Sequence, residues 1–506
     1  MKKKRMLPAL LLALSVLLSG CTTEVLNRSS SVTLSPVRVP YSAPVGDSRL
    51  SRTETVVLYV PDETGTRLIT VSEKVQTSSL RHPVDETLQM LLSYAGGENS
   101  APISPQTPLQ TLGPVEISGN TAVVNLGTSA LWLDAGQFYG VCRAITNTLC
   151  QWGDIRFVSV LINSRQMGLD MTASVPAGCF AADTHLSADV MKSDLQSLIS
   201  VGNDRARACL YYPIRGGRGV AVETKQIEFE RHDKVSMVAA LLNALSGNAE
   251  TLQTASALPN LLDYLAPDGI AVRENAATGG QVAVLHYDDA FNTVILDSGV
   301  PRSVMMASLA LTVLTFVPGL SGLMVYAGEE LITEVTPGST YRDAGRTVAF
   351  ENGVMHRNDF NSFLLSECPL CLATENGKLK RITRALPYEE TCSPRALVNC
   401  LLDGPQVQDS APGGAVFPQG LADNDLLGAG LEDGVLLLNF SARFGTLCAG
   451  LSAEKEKQLV YSLVNTLTET ETVRSVCIFI DSVQPETLSG RLYLPGTFMK
   501  NTGIVD

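Results

Sequence analysis

Several residue sets have types and spacings that suit chemistry. Cys368 and Cys371 form a Cys-x-x-Cys pair, the spacing of a zinc knuckle or a dithiol redox site. Zinc needs a second pair at similar spacing, which the chain lacks, and a redox pair opens a helix after a strand, whereas these two lead into a strand. Ser452 and Lys455 form a Ser-x-x-Lys, a nucleophile-to-lysine spacing, and Ser246 with Asn248 offers the Ser-x-Asn that accompanies it. The Lys-Thr-Gly of that set is missing, and Ser452 is placed to cap the helix that follows. His82, His185, His232, His286 and His356 show no metal-ligand spacing; His82 and His232 each follow an arginine just ahead of a helix, where a helix-entry role is expected. Asp85 and Glu86 fall in the first turn of a helix, where its dipole favours negative charge. Asn125 and Asn439, with His286 aligned between them, end a strand and are expected to satisfy backbone groups there. There is no Gly-x-Ser-x-Gly, phosphate-binding loop or His-Glu-x-x-His. These candidates are scattered, so no catalytic, cofactor or metal residue is assigned.

Cys21 is different. Lys2, Lys3, Lys4 and Arg5 precede a short apolar run over 6–18, and Leu18, Ser19, Gly20 and Cys21 end it. The pattern resembles a bacterial lipoprotein signal, which implies cleavage before Cys21 and a diacylglycerol on its thiol. Acyl chains bury about 0.8 kcal/mol per CH₂ in a bilayer, so the expected location is the extracytoplasmic face of the bacterial cell membrane. The remaining cysteines are Cys142, Cys150, Cys179, Cys209, Cys368, Cys371, Cys392, Cys400, Cys448 and Cys477. An even number in an exported chain invites disulfides. Cys142 and Cys150, two turns apart on one helix, lie about 12 Å apart at ~1.5 Å per residue, too far to bridge. Cys392 and Cys400 are spaced alike. Most of the ten are read as buried small hydrophobes.

The elements around these residues recur. Residues 435–440 read as a strand, a helix with Val460, Leu463, Val464 and Leu467 follows, and 476–481 closes the unit. The same strand–helix–strand occurs at 122–126, 138–149 and 157–163, and, more diverged, at 282–287, 302–316 and 322–326. Two of the helices end Asn147-Thr148-Leu149 and Asn465-Thr466-Leu467; their closing strands end Ile162-Asn163-Ser164 and Ile480-Asp481-Ser482. An earlier helix aligns without a gap at 81–92, 231–242 and 391–402, each ending in a leucine pair and each preceded by an extended run. Copies start roughly 150–160 residues apart, a spacing of whole domains, each large enough to bury its own core.

The chain is therefore divided into a signal peptide over 1–20, a tether over 21–53, domains over 54–180, 207–338 and 363–506, a linking helix within 181–206 and a polar linker over 339–362. Residues 304–317 are nearly all apolar but shorter than the ~20 residues a span needs; this helix is expected to be buried deeply or to pack on a neighbouring domain. A formal charge of −13 argues against nucleic acid, whose phosphates want lysine and arginine.

The repeated unit resembles the GerMN domain of sporulation and spore-germination lipoproteins. The likeness rests on the strand at 58–61 with 83–92, the strand at 123–126, and 147–149 with 160–164; in the third copy it rests on 394–402, 436–440, 465–467 and 477–482. The middle copy departs most, with His286 in place of asparagine and a longer loop over 243–281. The resemblance implies an α+β fold similar to ring-building motifs, with each domain running strand-(strand)-helix-strand-strand-helix-strand. It also implies a non-enzymatic interaction or scaffold role in sporulation or germination envelope assemblies. Implied partners are envelope or membrane proteins, with the lipid anchor in the membrane, no nucleic acid, possible self-assembly and no cofactor. A modulator of a membrane sensor kinase, as in LpqB-like proteins, is the alternative reading, and a cell-wall hydrolase the third.

Overall fold

The computed structural model describes residues 41–47, 51–78, 83–172, 174–184, 186–200, 204–275, 280–338, 345–470 and 472–506. Cys21, His82, His185 and the signal segment lie outside them.

One element order runs three times along the chain. Each copy opens with an antiparallel hairpin: Ser51–Pro61 with Leu68–Ser78, Arg205–Pro213 with Val220–Glu228, and Ser366–Ala373 with Leu379–Leu386. A first helix follows, Val84–Leu92, Lys234–Leu245 or Pro394–Leu402. Then comes a small sheet whose central strand, Thr121–Leu126, Gln281–Tyr287 or Val435–Phe440, pairs antiparallel with the strand before it. On its other side it pairs in parallel with the closing strand, Phe157–Ile162, Leu320–Ala327 or Ser475–Ile480. A parallel neighbour demands a crossover, and the second helix supplies it: Ala135–Leu149, Arg302–Phe316 or Ala453–Leu467. The fold is α+β. The turn into the third central strand carries positive φ at Asp433 (47°) and Gly434 (77°), the Asp-Gly pairing that suits a two-residue hairpin turn.

The sequence signatures now have physical causes. The hairpins are two-stranded, so the outer edge of their first strand has amides without a ladder partner. A threonine of the second helix takes one such amide in every copy: Thr148 Oγ1 accepts from Tyr59 N, Thr312 from Tyr211 N and Thr466 from Cys371 N, each at 3.0 Å. The asparagine one residue earlier ties down the tail of its copy. Asn147 donates to Asp183 O at 2.8 Å and accepts from Asp183 N at 2.9 Å. Asn465 makes the same pair with Asn501, both at 2.8 Å. Leu311 stands at this position in the middle copy and is buried in its core.

Helix Arg302–Phe316 meets the expectation for its apolar run on both counts. Every residue from Ser303 to Phe316 is buried. It packs on the middle copy's own hairpin and also on Arg165–Gln166 of the first copy. Among the described residues no single helix is long and apolar enough to cross a membrane; Ala290–Asp297 and Arg302–Phe316 pass that test only as a pair bent by 104°.

Two stretches with unremarkable composition are tightly held. Residues 348–363, within and just after the polar linker, bury Phe350, Met355, Arg357, Phe360 and Phe363. Their apolar side chains join the middle core, together with Val123, Leu161 and Cys179 of the first copy. The end of the tether packs on the third copy. Gly46 N donates to Leu427 O at 3.0 Å, and Asp47 pairs with Arg395 at 2.7 and 2.8 Å. Gly428 is required for this approach, since a Cβ there would lie 2.6 Å from Gly46 O and 2.7 Å from Pro44 O. The linking helix, Ala188–Ile199, lays Leu195, Met191 and Leu198 against the first core. Residues 41–506 form one compact unit.

Candidate functional site

The Cys-x-x-Cys lies on strand Ser366–Ala373, where residues three apart face opposite sides. Cys368 points into the third core, while Cys371 joins a small cluster with Leu379 and Ile504. Burial pushes the Cys371 thiol up to about 11, the environment of an inert cysteine. Ser452 Oγ accepts from Lys455 N at 3.3 Å, so the Ser-x-x-Lys is a helix cap. Ser246 Oγ donates to Leu242 O at 2.7 Å and accepts from Leu261 N at 2.9 Å, closing the end of its helix. Asn248 offers its carbonyl to Lys225 at 3.5 Å.

The histidines and carboxylates serve separate elements. His232 leans on Phe229, with ring centroids 5.5 Å apart. His286 stacks on Tyr326 at 4.3 Å; burial, then the Arg273 charge, holds its pKa below the usual value. His356 N donates to Asp359 Oδ2 at 2.7 Å at the start of a 3-10 turn. Asp85 accepts from Val115 N at 2.7 Å. Asn125 and Asn439 act on the backbone as expected, and the reason is the turn opposite. Asn163 and Ser164, like Asp481 and Ser482, have φ between 48° and 67°. The asparagine holds that left-handed pair: Asn125 Oδ1 accepts from Ser164 N at 2.8 Å and Asn439 Oδ1 from Ser482 N at 3.0 Å. This explains the repeated Ile-Asn/Asp-Ser ending, because Asn and Asp tolerate such φ values.

Sequence reasoning missed the junction between copies. Arg357, 2% exposed, is bidentate to Glu116 of the first copy, with Nη1 to Oε1 at 2.9 Å. It also donates to Tyr211 Oη at 3.2 Å and Thr315 Oγ1 at 3.0 Å of the middle copy. Burial is the largest single influence and alone would lower the guanidinium's pKa; the Glu116 charge, the Tyr211 hydroxyl and the hydrogen bonds to both together outweigh it and hold the group above its ordinary value. Around it, Ser118 Oγ donates to Leu365 O at 2.7 Å and accepts from Val222 N at 2.9 Å, and Ser366 Oγ donates to Ile117 O. Glu367 accepts from Thr254 N and Oγ1, both at 2.7 Å. One arginine in a polar stretch carries no periodic signal, so nothing local could have found it.

Two clefts border the junctions. One, of about 420 Å³, is lined by Tyr139, Arg143, Cys179, Arg205 and Arg207 among others. The second, of about 520 Å³, includes Arg218, Arg384, Arg395 and Asp403. Among the described residues no histidine lines either. Among the described residues no group of three or more His, Cys, Asp or Glu is placed to hold a metal ion.

The sheet edges also differ. The first copy's outer strand, Glu116–Ser118, sits at the junction, and the third copy's, Leu426–Glu432, receives residues 44–47. The middle copy's outer strand, Leu265–Glu274, pairs only with Gln281–Tyr287, and its other edge has no strand partner among the described residues.

Residues 369–485, running from the third hairpin to just past the closing strand, match the family model described as Germane: Sporulation and spore germination. A comparison with curated proteins finds no match. Among solved structures the chain is similar to the tandem GerMN domains of the sporulation protein GerM from Bacillus subtilis, at 16% identity, covering 60% of this chain and 99% of that one, with a TM-score of 0.22. It is also similar to a putative lipoprotein from Clostridium perfringens, at 19% identity over 28% of this chain and 93% of that one, with a TM-score of 0.18. The first GerMN domain of GerM gives 18% identity over 26% and 97%, with a TM-score of 0.19.

Proposed function

We propose, from the premise that the third copy belongs to the Germane family of sporulation and spore germination, that this chain is a non-enzymatic interaction protein of the cell envelope. In this reading it comprises three GerMN-like domains carried on a lipid anchor at Cys21, outside the bacterial membrane. The basic n-region, the apolar run and the small-small-Cys ending support the anchor. One structural observation carries the interaction reading: the outer edge of strand Leu265–Glu274 has no strand partner among the described residues. Such an edge is a template for an added strand. The partner is an envelope or membrane protein that supplies an extended segment.

The test uses the full chain in its own cells. A photo-activated cross-linking residue replaces Arg273, which is exposed on the open strand, and, as a control, Glu454 on the third copy's second helix. A discrete adduct in membranes from position 273, absent from position 454, is expected. Cys21→Ala should abolish that adduct and move the protein out of the membrane fraction. Equal labelling from both positions, or a Cys21→Ala protein that stays with membranes, would sink the reading.

A further inference from the structure

We propose that Cys179 and Cys209 form a disulfide that joins the last strand of the first copy to the first strand of the middle copy. The two sulfurs lie 3.1 Å apart. A covalent bond at about 2.0 Å needs a closure of only about 1 Å, within reach of small side-chain rotations. The backbones on either side are fixed. Cys179 is registered against Ser159 in its own sheet and Cys209 against Thr224 in its hairpin. Next to Cys179, Gly178 has φ +63°, and a Cβ there would lie 2.5 Å from Arg207 O. Only glycine lets the strands come this close, so the approach that brings the sulfurs together is built into the backbone.

A metal does not fit the same geometry. Two thiolates on one tetrahedral zinc sit roughly 3.8 Å apart, given Zn–S of about 2.3 Å. Among the described residues the pair belongs to no group of three or more Cys, His, Asp or Glu that could hold a metal ion. The Thr224 hydroxyl donates to Cys179 Sγ at 3.9 Å.

The co-reactant is a disulfide-bearing thiol oxidant, either a small molecule or a protein. A thiolate of the pair attacks one sulfur of the oxidant's disulfide and releases the other as a thiol. The second cysteine, on losing its proton, attacks the mixed disulfide and releases the remaining sulfur. Two cysteine thiols are oxidised and one disulfide is reduced to two thiols. Cys209 is 1% exposed, and its hydrogen bond with Cys179, then burial, holds its thiol well above the ordinary value. Thiolate at Cys209 is therefore scarce once the strands have docked, and exchange proceeds while the junction is still open. The same burial then shields the finished bond from reductants.

Trypsin separates the partners, since cleavage after Arg165 and Lys192 gives a peptide 166–192 with Cys179 alone, and cleavage after Arg207 and Arg215 gives 208–215 with Cys209 alone. The full chain is refolded with glutathione disulfide and glutathione, alkylated under denaturing conditions and digested. A cross-linked 166–192/208–215 species that disappears with dithiothreitol is expected, with both peptides alkylated only after reduction. Recovery of both peptides alkylated without reduction, or either joined to a different cysteine peptide, overturns the proposal. No variant is needed, so a folding defect cannot mask the outcome, and the test stands apart from the interaction reading.

Discussion

Glu456 shows how this chain uses its carboxylates. It is fully buried in the third copy's second helix, yet four hydrogen bonds reach it: Leu488 N at 3.0 Å, Ser489 N at 3.1 Å, Ser489 Oγ at 2.6 Å and Leu492 N at 3.0 Å. Burial on its own would raise the acid's pKa; the bonds from Ser489, Leu488 and Leu492 outweigh it and hold the group below its ordinary 4.5. A depressed carboxyl contributes stability that is present above the unfolded pKa and lost as pH falls through the folded one. Glu456→Gln should therefore cost about 2–3 kcal/mol near neutrality, the scale of hydrogen bonds to a charged group. It should also flatten the acid limb of a stability–pH curve below about pH 4.5. Denaturation followed from pH 7 down to pH 3 checks both. An acid limb unchanged in the variant would show that another group governs it.

At the scale of elements, the threonine between second helix and hairpin is the joint that recurs in all three copies. Thr466→Val keeps the shape of the side chain and removes its oxygen, leaving Cys371 N buried without a partner. The expected cost is about 1–3 kcal/mol. Because a chain of this length need not unfold in one step, the informative readout is local: hydrogen exchange of strand Ser366–Ala373 should accelerate roughly tenfold or more, with strand Ser51–Pro61 unaffected. This joint was half legible in the sequence. The Asn-Thr-Leu ending and the leucine pairs fix where the helices fall, since apolar spacing is a local property. Helix Arg302–Phe316 has the bounds its spacing indicates. The hairpins' second strands were harder. Ser72, Lys74 and Gln76 are exposed and alternate with the less exposed Val71, Glu73 and Val75, but Glu73 on the inner side leaves too few apolar residues for the alternation to stand out in sequence.

Over the whole molecule, the sequence reading expects three domains with separate cores, and the structure adds junctions that periodicity does not encode. Arg357 lies in a stretch whose polarity reads as a connector, but it is buried between Glu116, Tyr211 and Thr315. Its partners lie 241, 146 and 42 residues away in the chain, beyond the reach of any sequence window. Arg357→Met should cost about 3 kcal/mol, near the low end for breaking a buried pair because Glu116 retains some water contact. Calorimetry of the native chain should show the first and middle copies melting together, and the variant should split off an earlier transition. Two resolved transitions already present in the native chain would show that the junction does not couple them.

The contact between residues 44–47 and the third copy also decides where mechanical force enters. A pull on the chain ahead of Tyr41 does not reach the first hairpin directly. It meets the Asp47–Arg395 ion pair, the bond from Gly46 N to Leu427 O and the one from Asn439 Nδ2 to Pro44 O. Tension is then carried by the copy farthest along the sequence, and the strands of the first copy stay slack until that clasp gives way. The clasp is a handful of exposed and half-buried bonds, whereas the first hairpin behind it is an eleven-residue ladder on each strand. Its release would hand the load to Ser51–Pro61 and free the edge of Leu426–Glu432 at the same moment.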